Sequence, residues 1–148
     1  MNISVNMQGV QALNKRVGLF NERLSNLGPA FTNAATIVLA DAQTQIRLGG
    51  DPPWAPKKRP NGLPLLVLTG SLKHALQADQ PGAVEEIIGG IRVGTDIEYA
   101  RTQQEGTDRA GARRNVVIPA RPYLFRDPDA LAVKIRQVFA AYIAGKTL

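Results

Sequence analysis

The residues that could carry out acid–base or metal chemistry are few and poorly spaced for it. His74 is the only histidine and there is no cysteine, so Ser-His, Cys-His and multi-histidine metal sites lack their usual parts. Glu85 and Glu86 are adjacent in a β-prone segment, which sends their side chains to opposite faces. Asp96 and Glu98 could share a site, but acids in a loop region are usually solvated. We therefore predict that the protein is not an enzyme and binds no cofactor or metal.

Basic residues are the second source of candidate chemistry. The net charge is +6 and the pI is about 10.1, which favours contact with anions such as nucleic acid or acidic protein surfaces. The surplus is concentrated in residues 1–74, with eight Lys and Arg against three acids. Two clusters are either solvated loop tips or contacts for DNA phosphates or an acidic partner. They are Lys57, Lys58 and Arg59 in one loop and Arg109, Arg113 and Arg114 in another.

Two further residues are candidates for an interface. Trp54, the only tryptophan, either pins its loop to the body of the protein or fills a pocket on a partner, where tryptophan is enriched. Arg121 precedes a proline, so it lies in an extended segment. We expect Arg121 to pair with Glu98 or Glu105 within the chain, or with an acid of a neighbouring subunit across an edge strand.

Length and composition indicate one domain, residues 1–148, of ordinary globular type. Hydrophobic residues make up 44% and charged residues 20% of the chain. No apolar run approaches the roughly 20 residues that span a membrane, so we expect no membrane partner. Two long loops interrupt the domain. Residues 49–64 contain five prolines, and residues 107–115 form a basic loop that we expect to be mobile.

The N-terminal third has a short strand and two helices in the sequence pattern. Ile3 and Val5 alternate with polar neighbours and predict the strand. The first helix has apolar residues every three or four positions, at Val10, Leu13, Val17, Phe20, Leu24 and Leu27. The second helix follows Gly28-Pro29, ends at Gly49-Gly50 and has one apolar face. That face contains Phe31, Ala35, Val38, Ala42 and Ile46.

The rest of the chain alternates short helices with β-prone segments. A short helix follows Thr69-Gly70-Ser71, and a second runs from Tyr99 to Gly106. A hairpin is expected around Gly89-Gly90, because glycine tolerates the positive φ of tight turns. Residues 116–118 and 123–125 predict one or two further strands.

Asp127-Pro128 starts a final helix that ends at Gly145. The predicted fold class is α+β: a small, mainly antiparallel sheet with N-terminal helices and a C-terminal helix packed on it, and long loops projecting.

Several short motifs occur in a fixed order along nearly the whole chain. They are Trp54 with Pro56, Lys57 and Lys58; Leu68–Leu72; Val93–Thr95; Tyr99-Ala100; Gln104 with Gly106; and Pro119–Leu124. In this order the chain resembles the tailed-phage virion-morphogenesis, or tail-completion, family. Gln103 stands where a histidine is common in that family, so no role that needs an imidazole carries over.

The resemblance implies a structural role at the neck of a phage virion, assembled in the bacterial host cytoplasm. It implies a ring, with a hexamer favoured, that completes the head-proximal end of the tail and joins it to the head. Its partners would be copies of itself and neighbouring neck and tail proteins, with non-specific contact to genome DNA in the lumen. The alternatives are a head–tail connector or tail terminator ring, or a basic nucleic-acid-binding module.

Overall fold

The computed structural model describes residues 7–56, 62, 65–67 and 69–146. The predicted strand at Ile3 and Val5 and the basic cluster Lys57–Arg59 lie outside these residues. In the described part, helices and strands alternate in an α+β arrangement, as predicted. They are α1 (Met7–Ser25), α2 (Gly28–Leu48), α3 (Ser71–Ala75), β1 (Val84–Ile87), β2 (Gly90–Val93), α4 (Ala100–Glu105), β3 (Thr107–Ala110), β4 (Val116–Ile118) and α5 (Pro128–Ala144).

Helix α2 is the centre of the fold. Pro29 stands in its first turn, where a missing N–H costs nothing, and Gly49 ends it in the left-handed conformation. Its alanine-rich face is buried, with Ala42 and Ile46 fully inaccessible. These small side chains allow α5 and the β1–β2 hairpin to pack closely on α2.

The buried core gathers residues that are far apart in sequence around the second half of α2. Its members are Leu39, Ala42, Ile46, Trp54, Leu72, Leu76, Ala83, Ala100 and Tyr123. Four of the motifs that were noted in the sequence therefore contribute directly to the core, through Trp54, Leu72, Ala100 and Tyr123. They include the short helix α3, which begins at Ser71 as expected, although its N-cap is Gly70 rather than a hydroxyl residue.

The strands form two separate antiparallel hairpins, not one sheet. Strands β1 and β2 pair around the turn Ile88-Gly89, with Ile87 opposite Gly90. Strands β3 and β4 pair with an irregular register, with Thr107 opposite Ile118. The segment 123–125, which we expected to be a strand, is not one, because its backbone bonds to the Gln104 side chain instead of to a strand.

The prediction of a loop over residues 107–115 is wrong for its first part. Thr107–Ala110 is a strand and only residues 111–114 form a turn. The small and charged residues there give little β-propensity, so the pairing is set by the neighbouring strand Val116–Ile118, which is rich in valine and isoleucine.

Helix α5 closes the fold. Asp127 is its N-cap, and the carboxylate accepts a hydrogen bond from the Ala130 N–H at 2.9 Å. Gly145 ends the helix, as expected. Phe139 packs edge-on against Phe31 of α2, with 5.1 Å between ring centroids. In the part of the chain that is described, no helix is long and apolar enough to cross a membrane.

Candidate functional site

The described residues bring no catalytic or metal constellation together. No group of three or more His, Asp or Glu side chains in this part of the chain is placed to hold a metal ion. His74 lies on the surface, and its Nδ1 is 2.7 Å from the Gln77 amide oxygen. Glu85 pairs with Arg92 across the β1–β2 hairpin at 2.7 Å, with both side chains exposed. The candidate functional features of the described residues are therefore exposed surfaces, basic or apolar, and one pocket.

The motifs at 103–106 and 119–124 hold one another in place. The Gln104 amide nitrogen donates to the Leu124 carbonyl at 2.8 Å. Its amide oxygen accepts from the backbone N–H groups of Tyr123 at 2.9 Å and Leu124 at 3.0 Å. One side chain thus replaces a strand partner for this stretch, which explains why the stretch stays extended without joining a sheet.

Tyr123 is anchored in the same clamp. It is 1% exposed, and its hydroxyl donates to the Ala100 carbonyl at 3.2 Å. Burial, together with nearby Tyr99, raises the pKa of Tyr123 to about 12. The Tyr99-Ala100 motif and the Pro119–Leu124 motif therefore meet in space, and their role here is to fix the chain path.

Trp54 belongs to the core and not to the surface. Its side chain is 8% exposed, and its backbone N–H donates to the Gly49 carbonyl at 2.8 Å. A Cβ atom at Gly50 would lie 2.6 Å from the indole ring. Of the two sequence interpretations, the structure supports the one in which Trp54 pins its loop to the body.

Arg121 is the one charged residue in the described part that is buried, with 8% of its surface exposed. The expectation that it pairs with Glu98 or Glu105 is wrong. Its Nη1 donates to the Gln103 amide oxygen at 3.2 Å and its Nη2 contacts the Ala55 carbonyl at 3.5 Å. Glu105 instead pairs with Arg101 one helical turn away.

The environment of the Arg121 guanidinium is incomplete. All acidic side chains of the sequence lie in the described part, and none forms an ion pair with it there. Its Nε is buried and has no hydrogen-bond partner among the described residues. Burial without an acid lowers the pKa of Arg121. A buried cation with no acid beside it is costly, so an anion near the guanidinium would stabilise it.

Arg121 lines an open pocket of about 440 Å³, which we call the Arg121 pocket. Its other walls are mainly apolar. They are Ala55, Pro56, Gln103, Val117, Ile118 and Pro119. The pocket therefore combines one cation with an apolar surface, which is suited to an apolar side chain that has a carboxylate beside it.

Three of the predicted basic residues lie on the hairpin β3–β4, which we call the basic hairpin. Arg109, Arg113 and Arg114 are all exposed. Arg109 is 3.8 Å from Asp108 in a pair that is open to solvent, so it stays available to another anion. The basic hairpin thus projects three arginines from one edge of the molecule.

Helix α1 carries a feature that the sequence interpretation missed. The predicted fold packs this helix on the sheet, yet the first five residues of its apolar stripe are exposed. The exposed fractions are Val10 46%, Leu13 60%, Val17 49%, Phe20 46% and Leu24 43%. We call these five residues the apolar seam.

Among the described residues, two side-chain hydrogen bonds attach the end of α1 to the body. Arg23 donates to the Ile143 carbonyl at 3.3 Å, and the Tyr142 hydroxyl donates to the Asn26 carbonyl at 2.6 Å. Arg23 lies in the last turn of α1 and Asn26 directly follows the helix, so both contacts join this end of α1 to the end of α5. Residues 9–22, before this point, are all exposed. Covering the half-exposed seam would contribute about 4–7 kcal/mol per copy.

The spacing of the seam residues is the feature of the sequence that could have predicted its exposure. It has two apolar residues in every seven, which is the narrow stripe of a helix that pairs with one other helix. A helix that packs on a globular core usually has a wider stripe of three or four apolar residues in two turns.

Comparison with protein-family models, with curated proteins and with solved structures found no match to the chain.

Proposed function

We propose that the chain is a structural subunit of a tailed-phage virion that completes the head-proximal end of the tail and supports head–tail joining, as part of a ring. The order of its motifs supports this, because it resembles the tail-completion family. The contacts of Gln104 and Tyr123 are also in keeping with it, since these motif residues maintain a scaffold and form no reaction centre.

The observation that carries the proposal is the apolar seam on a projecting helix. A 19-residue helix whose apolar seam is exposed gains little from the rest of the described chain. A subunit of an assembly places such a helix against its neighbour and buries the seam there.

The basic hairpin supports a secondary element of the proposal, contact with genome DNA in the lumen of the ring. Arg109, Arg113 and Arg114 are exposed together, and arginines bind phosphates without reading sequence. The same observation favours the second candidate function, a basic nucleic-acid-binding module. That module would bind DNA as an isolated monomer, whereas the virion subunit acts only after assembly.

Electron microscopy of lysates from the parent phage with this gene disrupted tests the proposal. We expect full heads to accumulate beside separate tails of near-normal length. Tails of uncontrolled length would instead indicate a terminator ring. Normal infectious particles would refute a structural role in the virion.

Complementation of that phage with altered chains tests the apolar seam. The double variant Leu13→Asp/Phe20→Asp places two charges on the seam and should not restore joined particles. The matched control Asn14→Asp/Asn21→Asp places two charges one position along the same helix, where the side chains are also exposed. It should restore them. Equal restoration by both variants would exclude the seam as the assembly surface.

A further inference from the structure

The β1–β2 hairpin ends in an unusual tip, residues 86–89. Ile88 occupies a turn position where glycine, asparagine or aspartate is usual, and it is completely exposed. Ile87 beside it is 45% exposed. Glu86 is also exposed and forms no ion pair among the described residues, whereas its neighbour Glu85 is paired with Arg92. The tip therefore presents an apolar side chain two residues from a carboxylate that has no ion-pair partner in the described part of the chain.

The Arg121 pocket has the complementary chemistry. It is lined by the Arg121 guanidinium, which contacts neutral oxygens and pairs with no acid among the described residues. Val117, Ile118 and Pro119 supply an apolar wall beside it. A volume of about 440 Å³ accommodates an isoleucine side chain with the carboxylate next to it.

The tip and the pocket lie at opposite ends of α2. Gly28 and Phe31, in the first turn of α2, line a cleft together with Ile87 and Gly90. The carbonyl of Ala55, just beyond the other end of α2, contacts Arg121. A helix of 21 residues is about 30 Å long. One copy therefore cannot place its own tip in its own pocket.

We infer that the tip of one copy, with Ile88 and Glu86, occupies the Arg121 pocket of a second copy. This inference rests on the proposed function and deepens it, because it identifies the neighbouring subunit and the residues that contact it. The contact is head-to-tail, since different surfaces of the two copies meet. Repetition of such a contact produces a closed ring when its rotation closes.

Cysteine cross-linking tests the inference, and the chain contains no native cysteine to interfere. Purified full-length Ile88→Cys and Val117→Cys chains are mixed in equal amounts and oxidised. We expect the mixture to form a disulfide-linked dimer with about tenfold higher yield than either variant alone, because a disulfide requires close Cα atoms. The control mixture is Ile88→Cys with Val133→Cys, where Val133 is similarly exposed but lies on α5. A test mixture that stays monomeric, or that cross-links no better than the control, overturns the inference.

A charge comparison tests the ionic part of the contact by sedimentation at several protein concentrations. Glu86→Gln should weaken self-association roughly tenfold, since it removes the carboxylate that a buried cation would meet. Glu85→Gln is the control, because it changes the adjacent acid on the opposite face and should leave association unchanged. Equal effects of the two variants contradict the assigned pairing with Arg121.

The results of these experiments distinguish a failure of this contact from a failure of the proposed function. Rings that form without the Ile88–Val117 cross-link refute the contact alone. Normal particles from the gene-disrupted phage refute the proposed function, whatever the cross-linking result.

Discussion

The Gln104 amide and the Tyr123 hydroxyl determine how the segment 119–124 crosses α4. Each group bonds to the main chain, so side-chain identity at these positions fixes a backbone path. Unpaired backbone groups in a partly buried segment are costly, and this explains the need for an amide at position 104. At the scale of single residues, the side chains of these motifs therefore serve to hold the backbone of the fold in place.

The raised pKa of Tyr123 predicts that the protein loses stability in alkaline solution. Its pKa is raised from 10.0 to about 12 in the fold, so the folded state favours the neutral phenol. The stabilisation is complete below pH 10 and is lost as pH rises through about 12. We expect the free energy of unfolding, measured by urea denaturation, to fall across this window.

The Tyr123→Phe variant should remove this decline, at a cost of about 1 kcal/mol at neutral pH from the lost bond to Ala100. Tyr142→Phe is the control, because it also loses a bond to a backbone carbonyl but retains Tyr123 and its decline. A Tyr123→Phe chain with the same alkaline decline as the unaltered chain would contradict the assignment.

Individual residues differed in how far the sequence could predict them. For Trp54, both a buried and an exposed position were consistent with a single tryptophan between prolines, and only tertiary packing decided between them. For Arg121, the expected acidic partners were reasonable by charge. However, Glu105 lies one turn from Arg101 and pairs there, which leaves Arg121 with neutral oxygens.

At the scale of elements, the helices were the most predictable part. Pro29, Gly49, Asp127 and Gly145 mark helix ends through local chemistry that is readable in sequence. The hairpin at Gly89-Gly90 was predictable for the same reason. Strand β3 was not, because its pairing depends on β4 and not on its own residues. The direction of the α1 stripe was also missed, since periodicity shows that a stripe exists but not what covers it.

Gly106 gives a prediction about the junction of α4 and β3. Its φ is 73°, and a Cβ atom there would lie 2.6 Å from the Ala120 backbone nitrogen and 2.8 Å from the Ile118 carbonyl oxygen. Backbone atoms cannot move aside as a flexible side chain can. Gly106→Ala should therefore lower the free energy of unfolding by about 3 kcal/mol or more.

The matched control for this junction is Gly94→Ala. A Cβ atom at Gly94 has nothing within 4 Å, so we expect little change in urea denaturation. Equal stability of the two variants would show that the α4–β3 junction tolerates the displacement.

At the scale of the whole molecule, three surfaces lack a partner within the described chain. The apolar seam, the hairpin tip and the Arg121 pocket each present chemistry that the same copy leaves unsatisfied. A chain of 148 residues whose described part leaves this much apolar surface uncovered is suited to an assembly. The sequence indicated such a role by resemblance, but the positions of these surfaces required the fold.

The basic hairpin leads to a prediction about DNA. The triple variant Arg109→Gln/Arg113→Gln/Arg114→Gln should leave assembly intact and reduce retention of DNA in the particle, because phosphate contacts depend on charge. Particle assembly is checked by microscopy and DNA retention by nuclease protection of purified particles. A triple variant of three exposed residues elsewhere, Gln11, Lys15 and Gln137, changed to alanine, is the control. Unchanged retention in the arginine variant would exclude the hairpin from DNA contact.

The attachment of α1 near one end has a consequence for the number of intact copies of the chain in a cell. Among the described residues, hydrogen bonds through Arg23 and Asn26 hold this helix at its C-terminal end, and segments with few buried contacts open most easily. A protease would therefore cut within α1 first and leave the body, which begins at α2, intact. On the proposed function, copies made in excess of their neighbours would lose the seam and with it the ability to assemble. Proteolysis would in this way inactivate copies that have no partner. The number of copies able to assemble would then follow the number of partner proteins.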